Sequence, residues 1–450
     1  MIKSYLHKTY TLNLSIGNLV LVPTLAKYYF FKSGNQKIKD IPAQIYSPKE
    51  EIFTRKKIFN MEKRVLFLTE NCNLNCIYCY EGKKSKKNMC DYLIKDVIYD
   101  LFLKANNKDL NQVSFSLFGG EPTCDFEKIH HIINLSEKLS NKYNITCNRS
   151  IVTNGLLNET EMDYLINHFD NIFISLDGPL KINSLQRKSI NNEKTYKQIF
   201  NNAKKVYNQA FNKLQFKTTI TSKTINKLEE IMRFFNSEFP LIPQLYQPCM
   251  VEEDNKLHID FNNFLKKFAS AIHKNPLKNL ITTSLFKHFP SDVFCNLPYR
   301  RVITPTGDVL GCHRFNLEDE NDIVKNNFTI GKYKDGKLEI NQDKVNKLKE
   351  INIKKGLANK CGDCFARFHC AGGCATIKLH QNSDPYKDPI HYCKGIKWFT
   401  VYMILDKLGV DFKPEFKNLT IIKNHNDKKI NELELDKMAD CKYNLLKRSK

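Results

Sequence analysis

The sequence predicts an α/β protein centred on a partial (β/α)6 TIM-like barrel, with a small β-containing unit before it and a cysteine-rich region after it. Three observations carry that reading. Six short apolar runs alternate with segments of helical spacing between residues 64 and 248, the pattern of βα units on a parallel sheet. Turns rich in Gly, Asn, Asp and Cys follow several of the runs. Near residue 290 the alternation stops and cysteines crowd together.

Residues 1–60 read as a separate unit. Thr11–Ser15 and Leu19–Val22 are β-rich and joined by Ile16-Gly17-Asn18, a hairpin pattern; Pro23, Pro42 and Pro48 then punctuate a Lys-rich stretch. The barrel occupies residues 61–285. Its strands are expected at 64–69, 113–118, 150–154, 171–176, 214–221 and 243–248. Its helices are expected at 91–104, 126–140, 159–168, 196–211 and 224–237, where apolar residues recur every three or four positions. Six units are too few for an eight-stranded barrel. The polar turns Thr69–Cys79, Gly119-Gly120-Glu121, Asn154-Gly155 and Asp177-Gly178 fall after strands, where parallel α/β folds place their chemistry. Residues 290–400 form the cysteine-rich region. Residues 401–450 carry the end of an amphipathic helix expected at 398–408 and then a Lys-rich tail expected to be mobile.

The net charge of +22 invites a nucleic-acid reading. Lysines are spread along the chain rather than gathered in a stripe, which argues against it. The N-terminal apolar run is broken by Asn13, Gly17 and Asn18 and lacks a cleavage site, so it is not a signal peptide. No run of about 18 apolar residues exists to span a membrane. Fifteen cysteines without an export signal point to the cytoplasm and to metal or redox chemistry rather than disulfides.

Cys72, Cys76 and Cys79 lie within eight residues, in the loop after the first barrel strand. Structural zinc wants four ligands, commonly two CxxC pairs. Three thiolates on a [4Fe–4S] cube leave one iron open. The stretch CNLNCIYC resembles the CxxxCxxC loop of the radical S-adenosylmethionine (SAM) superfamily, and further motifs match in order. The resemblance implies a cluster whose open iron binds SAM and whose electron releases a 5′-deoxyadenosyl radical. FGGEP, with Gly119, Gly120 and Glu121, resembles the turn that holds the methionyl amine. Tyr78 matches the residue lying against the adenine. VTNG with Asn154, and ISLDGP with Ser175 and Asp177, resemble stretches lining the ribose and carboxylate. Arg187 stands where relatives carry an arginine for the SAM carboxylate.

Downstream, Cys295, Cys312, Cys361, Cys364, Cys370, Cys374 and Cys393 resemble the SPASM extension of that superfamily, which carries two auxiliary [4Fe–4S] clusters. The resemblance implies three clusters in all. It assigns Cys361, Cys364, Cys370 and Cys393 to the distal auxiliary cluster and Cys295, Cys312 and Cys374 to the proximal one. Some relatives add a further cysteine where this chain has Arg301; His313 is another group that could close that cluster. Cys90, Cys124, Cys147, Cys249 and Cys441 match no position and read as small core residues.

SPASM enzymes modify peptides or proteins, in anaerobic settings, with an electron donor such as flavodoxin or ferredoxin. One branch, the anaerobic sulfatase maturases, converts Cys or Ser to formylglycine with an Asp directly after a proximal-cluster Cys. Here His313 follows Cys312, and Asn183-Ser184 replaces the His-Asp usual in those enzymes. The expectation is therefore an oxidoreductase-type maturase of ribosomally made peptides (RiPPs). It would forge a thioether or C–C crosslink, with His313 as candidate base or cluster-adjacent residue and residues 1–60 as a possible grip for a leader segment. Sulfatase maturation is the same-fold alternative. An iron–sulfur electron-transfer protein and a nucleic-acid-modifying protein are alternatives of other classes.

Overall fold

The computed structural model describes residues 61–407 except 81–86, 191–193, 252–253, 278–279, 287–293, 296, 298, 300, 315–326, 335, 350–363 and 383–389. Before residue 61 it describes five strands, and after 407 only Ile430–Asn431.

The N-terminal strands are β1 (Leu6–His7), β2 (Tyr10–Leu14), β3 (Gly17–Val22), β4 (Lys27–Lys32) and β5 (Ile38–Lys39). Strands β2 to β5 form an antiparallel meander. Leu14 pairs with Gly17, so Gly17 and Asn18 belong to a strand and not, as expected, to the turn. Pro23, Pro42 and Pro48 lie outside the described residues.

The barrel strands are β6 (Glu62–Phe67), β8 (Gln112–Phe118), β9 (Thr146–Thr153), β10 (Asn171–Ser175), β12 (Leu214–Ile220) and β13 (Gln244–Pro248), each at an expected run. Two short strands intervene, β7 (Leu74–Cys76) and β11 (Arg187–Ser189). The order β13-β12-β10-β9-β8-β6 is parallel throughout. Two strands beyond the expected six extend it. β14 (Ile281–Thr283) adds parallel beside β13, and β15 (Val302–Ile303) adds parallel beside β6. From β15 the sheet continues antiparallel through β16 (Asp308–Leu310), β17 (Thr329–Lys334) and β18 (Lys337–Ile340).

Side-chain alternation divides each strand between two environments. In β12, Leu214, Phe216, Thr218 and Ile220 are buried, while Gln215, Lys217 and Thr219 are half-buried on the other face. In β10, Ile172 and Ile174 are buried and Phe173 and Ser175 alternate with them. One set packs beneath the helices; the other faces the barrel interior. The outer helices are α1 (Asp91–Asn106), α2 (Phe126–Tyr143), α3 (Glu159–His168), α4 (Leu180–Gln186), α5 (Tyr196–Gln209), α6 (Leu228–Glu238) and α7 (Phe261–His273). α1 buries Leu93, Ile94, Val97, Ile98, Leu101 and Phe102, the stripe its spacing predicts. α3 starts on a capping box in which Asn158 and Glu161 each accept the other's backbone N–H.

Beyond the barrel lie α8 (Gln342–Lys349), α9 (Arg367–Cys370), α10 (Ala375–Asn382) and α11 (Ile390–Lys407). α11 corrects an expectation. It begins eight residues before the stretch read as amphipathic, and Trp398, Phe399, Val401, Tyr402 and Ile404 are all buried. It packs along α7, with Phe399 against Phe268 and Phe286, so it is covered on more than one side. β19 (Ile430–Asn431) pairs with β1; the rest of the Lys-rich tail and Cys441 lie outside the described residues. Among those residues no helix is long and apolar enough to cross a membrane.

Candidate active site

The first cysteine loop is bound into the sheet by backbone contacts. Leu68 N donates to Phe118 O, Gly120 N to Thr69 O, and Glu121 N to Asn71 O, each at 2.8 Å. The double glycine is what allows this approach. A Cβ at Gly119, whose φ is +147°, would meet Thr69 O at 2.4 Å; one at Gly120 would meet Asn71 O at 2.3 Å. The glycines admit the cysteine loop. On its other side the loop is zipped by β7 to β11, which sets Arg187 opposite Cys76.

Glu121 is the hub of the next turns. Its Oε1 accepts from Thr123 N (3.1 Å), Thr123 Oγ1 (2.8 Å) and Thr153 Oγ1 (2.8 Å), and its Oε2 from Asn154 N (2.5 Å). Burial still pushes its carboxyl above the usual range despite these donors. The carboxylate expected to await an ammonium group is thus already engaged by the fold. Asn154 in turn donates to Asn73 Oδ1 at 2.7 Å and approaches Cys72 Sγ at 3.9 Å.

Asp177 is fully buried. Its Oδ2 accepts from Tyr78 Oη (2.7 Å) and Gln186 Nε2 (3.0 Å), and its Oδ1 from Thr219 N (2.9 Å). Arg187 Nε lies 3.1 Å from Oδ2, an ion pair whose N–H is not aimed at the oxygen. The Arg187 guanidinium also sits 5.6 Å from the Tyr78 ring centre and 3.9 Å from Cys76 Sγ. Asp177 therefore stands behind the wall of the site and fixes Tyr78 and Arg187 from the rear.

These elements enclose a cavity of about 620 Å3. Cys72, Cys76, Cys79, Tyr78, Gly119, Gly120, Glu121, Asn154, Ser175, Arg187 and His313 all line it; Asp177 does not. Sequence reasoning missed Lys217 and Thr219 of β12, Gln247 of β13, Met250 and Arg314, all of which line it. The strand alternation around Ser175 and Lys217, which are register partners, was the signal that could have found the first of them. Cys249 is buried, as a core cysteine should be, yet it lines this cavity too. His313 packs edge-on to Phe118 with ring centres 5.4 Å apart.

The second cysteine set is described in part. Cys295 and Cys374 lie near enough to Cys312 to raise its thiol electrostatically. Burial is the larger cause, and together they push it up to about 11. Cys312 Sγ is 3.7 Å from Thr376 Oγ1, and Thr376 reaches the main cavity. Arg301 has φ +44° and turns its side chain to Glu62 at 3.4 Å, in a buried network with Arg64 and Asp100. It points to that network and not to the cysteines. Cys364, Cys370 and Cys393 are half-buried, on or near α9 and α11, which touch; Cys361 lies outside the described residues. Cys90, Cys124 and Cys147 are half-buried.

Three thiols on one loop facing one cavity are a donor set suited to an iron–sulfur cluster with one open iron. Among the described residues no three Cys, His, Asp or Glu side chains close around a single metal ion. Burial pushes the Cys76 thiol up to about 12, even beside Arg187, so loading requires loss of protons.

Residues 66–235 match the model of the radical SAM superfamily. The chain is 24% identical over 358 residues to a cysteine-type anaerobic sulfatase-maturating enzyme of Clostridium perfringens, spanning 74% of this chain and 94% of that protein. It is 28% identical over 260 residues to an uncharacterized protein of Methanocaldococcus jannaschii, spanning 57% of this chain and 82% of that one. Among solved structures, native anSMEcpe with bound AdoMet and a Cp18Cys peptide superposes with TM-score 0.61 at 19% identity, covering 78% of this chain and 98% of that one. The partial barrel around the cavity is the fold the chain shares with this solved structure.

Proposed function

We propose that this radical SAM enzyme modifies a peptide, forming a thioether or carbon–carbon crosslink. The supporting observation is that one cavity is lined both by the Cys72/Cys76/Cys79 loop and by His313, Arg314 and Thr376 of the second cysteine region. A [4Fe–4S] cluster with SAM, when bound, supplies a 5′-deoxyadenosyl radical able to take a hydrogen atom from a substrate. In this reading Cys72, Cys76 and Cys79 hold that cluster, and Asn154, Ser175 and Arg187 orient SAM. Glu121 shapes the turn beneath it. Asp177, Gln186 and Tyr78 fix Arg187. The seven later cysteines hold two auxiliary clusters in a SPASM domain at 290–400, and His313 serves as base or neighbour of the proximal one. The meander β2–β5 offers sheet edges to which a leader segment can add as a strand. A flavodoxin or ferredoxin supplies electrons in the cytoplasm.

Sulfatase maturation is the second reading, favoured by the likeness to the Clostridium enzyme; the solved relative carries a peptide beside AdoMet. His313 in place of the aspartate of that branch weighs against it. The test is mass spectrometry of candidate peptides after anaerobic incubation with SAM and dithionite. Loss of two hydrogens per event with a new crosslink is the expected result. Conversion of Cys or Ser in a sulfatase peptide to an aldehyde would replace this reading with the second. Failure to cleave SAM at all would remove both.

A further inference from the structure

Two cysteines of the first loop are met by nitrogen donors of different kinds. Cys72 Sγ lies 3.4 Å from Leu74 N and 3.9 Å from Asn154 Nδ2, both neutral groups. Cys76 Sγ lies 3.9 Å from Arg187 Nη1, a cation. The fold builds that second contact. β7 and β11 pair antiparallel with Cys76 and Arg187 as register partners, and Ile77 N donates to Gln186 O at 2.9 Å on the same seam. Arg187 is buried. Asp177 holds the guanidinium from behind, its Oδ2 3.1 Å from Nε. Tyr78 supports both: its hydroxyl donates to the same Oδ2 at 2.7 Å, and its ring centre is 5.6 Å from the guanidinium carbon.

This arrangement has an electrostatic consequence for the group the thiolates would hold. An iron–sulfur cluster gains one negative charge on reduction, and the hydrogen bonds and charges at its sulfurs set how readily it takes the electron. A buried cation at one sulfur favours the reduced state, where little water screens it. Asp177 meets the guanidinium at Nε and Cys76 meets it at Nη1. The carboxylate therefore anchors the cation and partly offsets it at the sulfur.

We propose that Arg187, anchored by Asp177, sets the reduction potential of the cluster on Cys72, Cys76 and Cys79 through its contact with the Cys76 sulfur. This rests on the cluster reading above and is independent of which peptide product forms. It is also separate from any contact of Arg187 with the SAM carboxylate, because it operates before SAM binds. Arg187 is in this respect a positioning residue that acts through Cys76.

The test is a potentiometric titration of the reconstituted full-length enzyme, followed by electron paramagnetic resonance without SAM. The first-loop signal is the one lost when Cys72, Cys76 and Cys79 are all changed to Ala; signals that survive serve as the internal reference. Arg187→Met is expected to disfavour reduction of the first-loop cluster about tenfold, a midpoint lower by about 59 mV for one electron, with the reference signals unmoved. Arg187→Lys is expected to keep most of the wild-type potential. Asp177→Asn is expected to raise the potential, because it removes the anion and leaves the cation. An unmoved potential in Arg187→Met with weakened SAM binding means that Arg187 serves SAM alone, and overturns the proposal. Equal shifts for Met and Lys, or one shift shared by every signal, overturn it too, since neither is the mark of a charge at Cys76. If Arg187→Met loads no cluster on that loop, the sign for Asp177→Asn decides: a rise supports the proposal, and no change or a fall overturns it. If the triple Ala variant loses no signal, the cluster reading itself fails.

Discussion

The substitution Asp177→Asn separates a structural carboxylate from a ligand contact. The change keeps the volume and leaves Oδ1 to accept from Thr219 N. It turns Oδ2 into an NH2 that faces two other donors, Gln186 Nε2 at 3.0 Å and the Arg187 guanidinium at 3.1 Å. Tyr78 can rotate its hydroxyl to recover one contact; Gln186 and Arg187 cannot. Removing one partner of a buried ion pair costs about 3–5 kcal/mol, and Asp177 is fully buried with Arg187 only 8% exposed. About 4 kcal/mol corresponds to a fall in Tm of roughly 4 °C for a chain of this size. The assay is anaerobic thermal unfolding followed by circular dichroism at matched iron content, with Arg187→Met and the double variant completing a cycle. The two single losses should exceed the double loss by about 1.5 kcal/mol or more, since the pair shares one interaction. An unchanged Tm with a large drop in SAM affinity for Asp177→Asn would show that the carboxylate meets SAM, and would refute the placement of Asp177 behind the wall.

Two further outcomes follow from the same geometry. Gly120→Ala puts a Cβ 2.3 Å from Asn71 O and 2.7 Å from Glu70 O, backbone atoms that cannot yield without moving the cysteine loop; iron bound per chain should fall by about the content of one cluster, where a conservative surface Gly→Ala would leave it unchanged. The Cys76 and Cys312 thiols, raised chiefly by burial to about 12 and about 11, are protonated at neutral pH, so cluster loading releases protons and becomes more complete as pH rises. Iron retained against a fixed chelator at pH 7 and pH 9 reads this, and equal retention at both would contradict it.

The barrel strands and helices were legible because each carries a period: two in β8, β10 and β12, and three to four in α1, α2 and α3. β14 and β15 were not, because three residues and two residues are too short to show any period. α11 was read as one-faced because its C-terminal half alone was considered, whereas burial surrounds Trp398 to Ile404. The cysteine loop and the turns after the strands were legible as motifs, and the cavity gathers most of them. What the motifs concealed was occupancy. Glu121 and Asp177 carry the charges a ligand would want, but donors that engage them come from Thr153 and Asn154 for the one and Thr219 for the other, far along the chain. Lys217 was lost in a lysine-rich background; only its register opposite Ser175 marks it out.

The pairing of β7 with β11 also bears on how the protein is made. Cys76 leaves the ribosome more than a hundred residues ahead of Arg187, the partner that closes its loop. During synthesis the three thiols are present early but stay without their second edge until the fourth barrel strand and α4 have emerged. The loop made first is finished late, so iron delivered before about residue 190 has been translated meets an open hairpin rather than a site. Cluster insertion into this chain is thereby tied to a half-completed barrel.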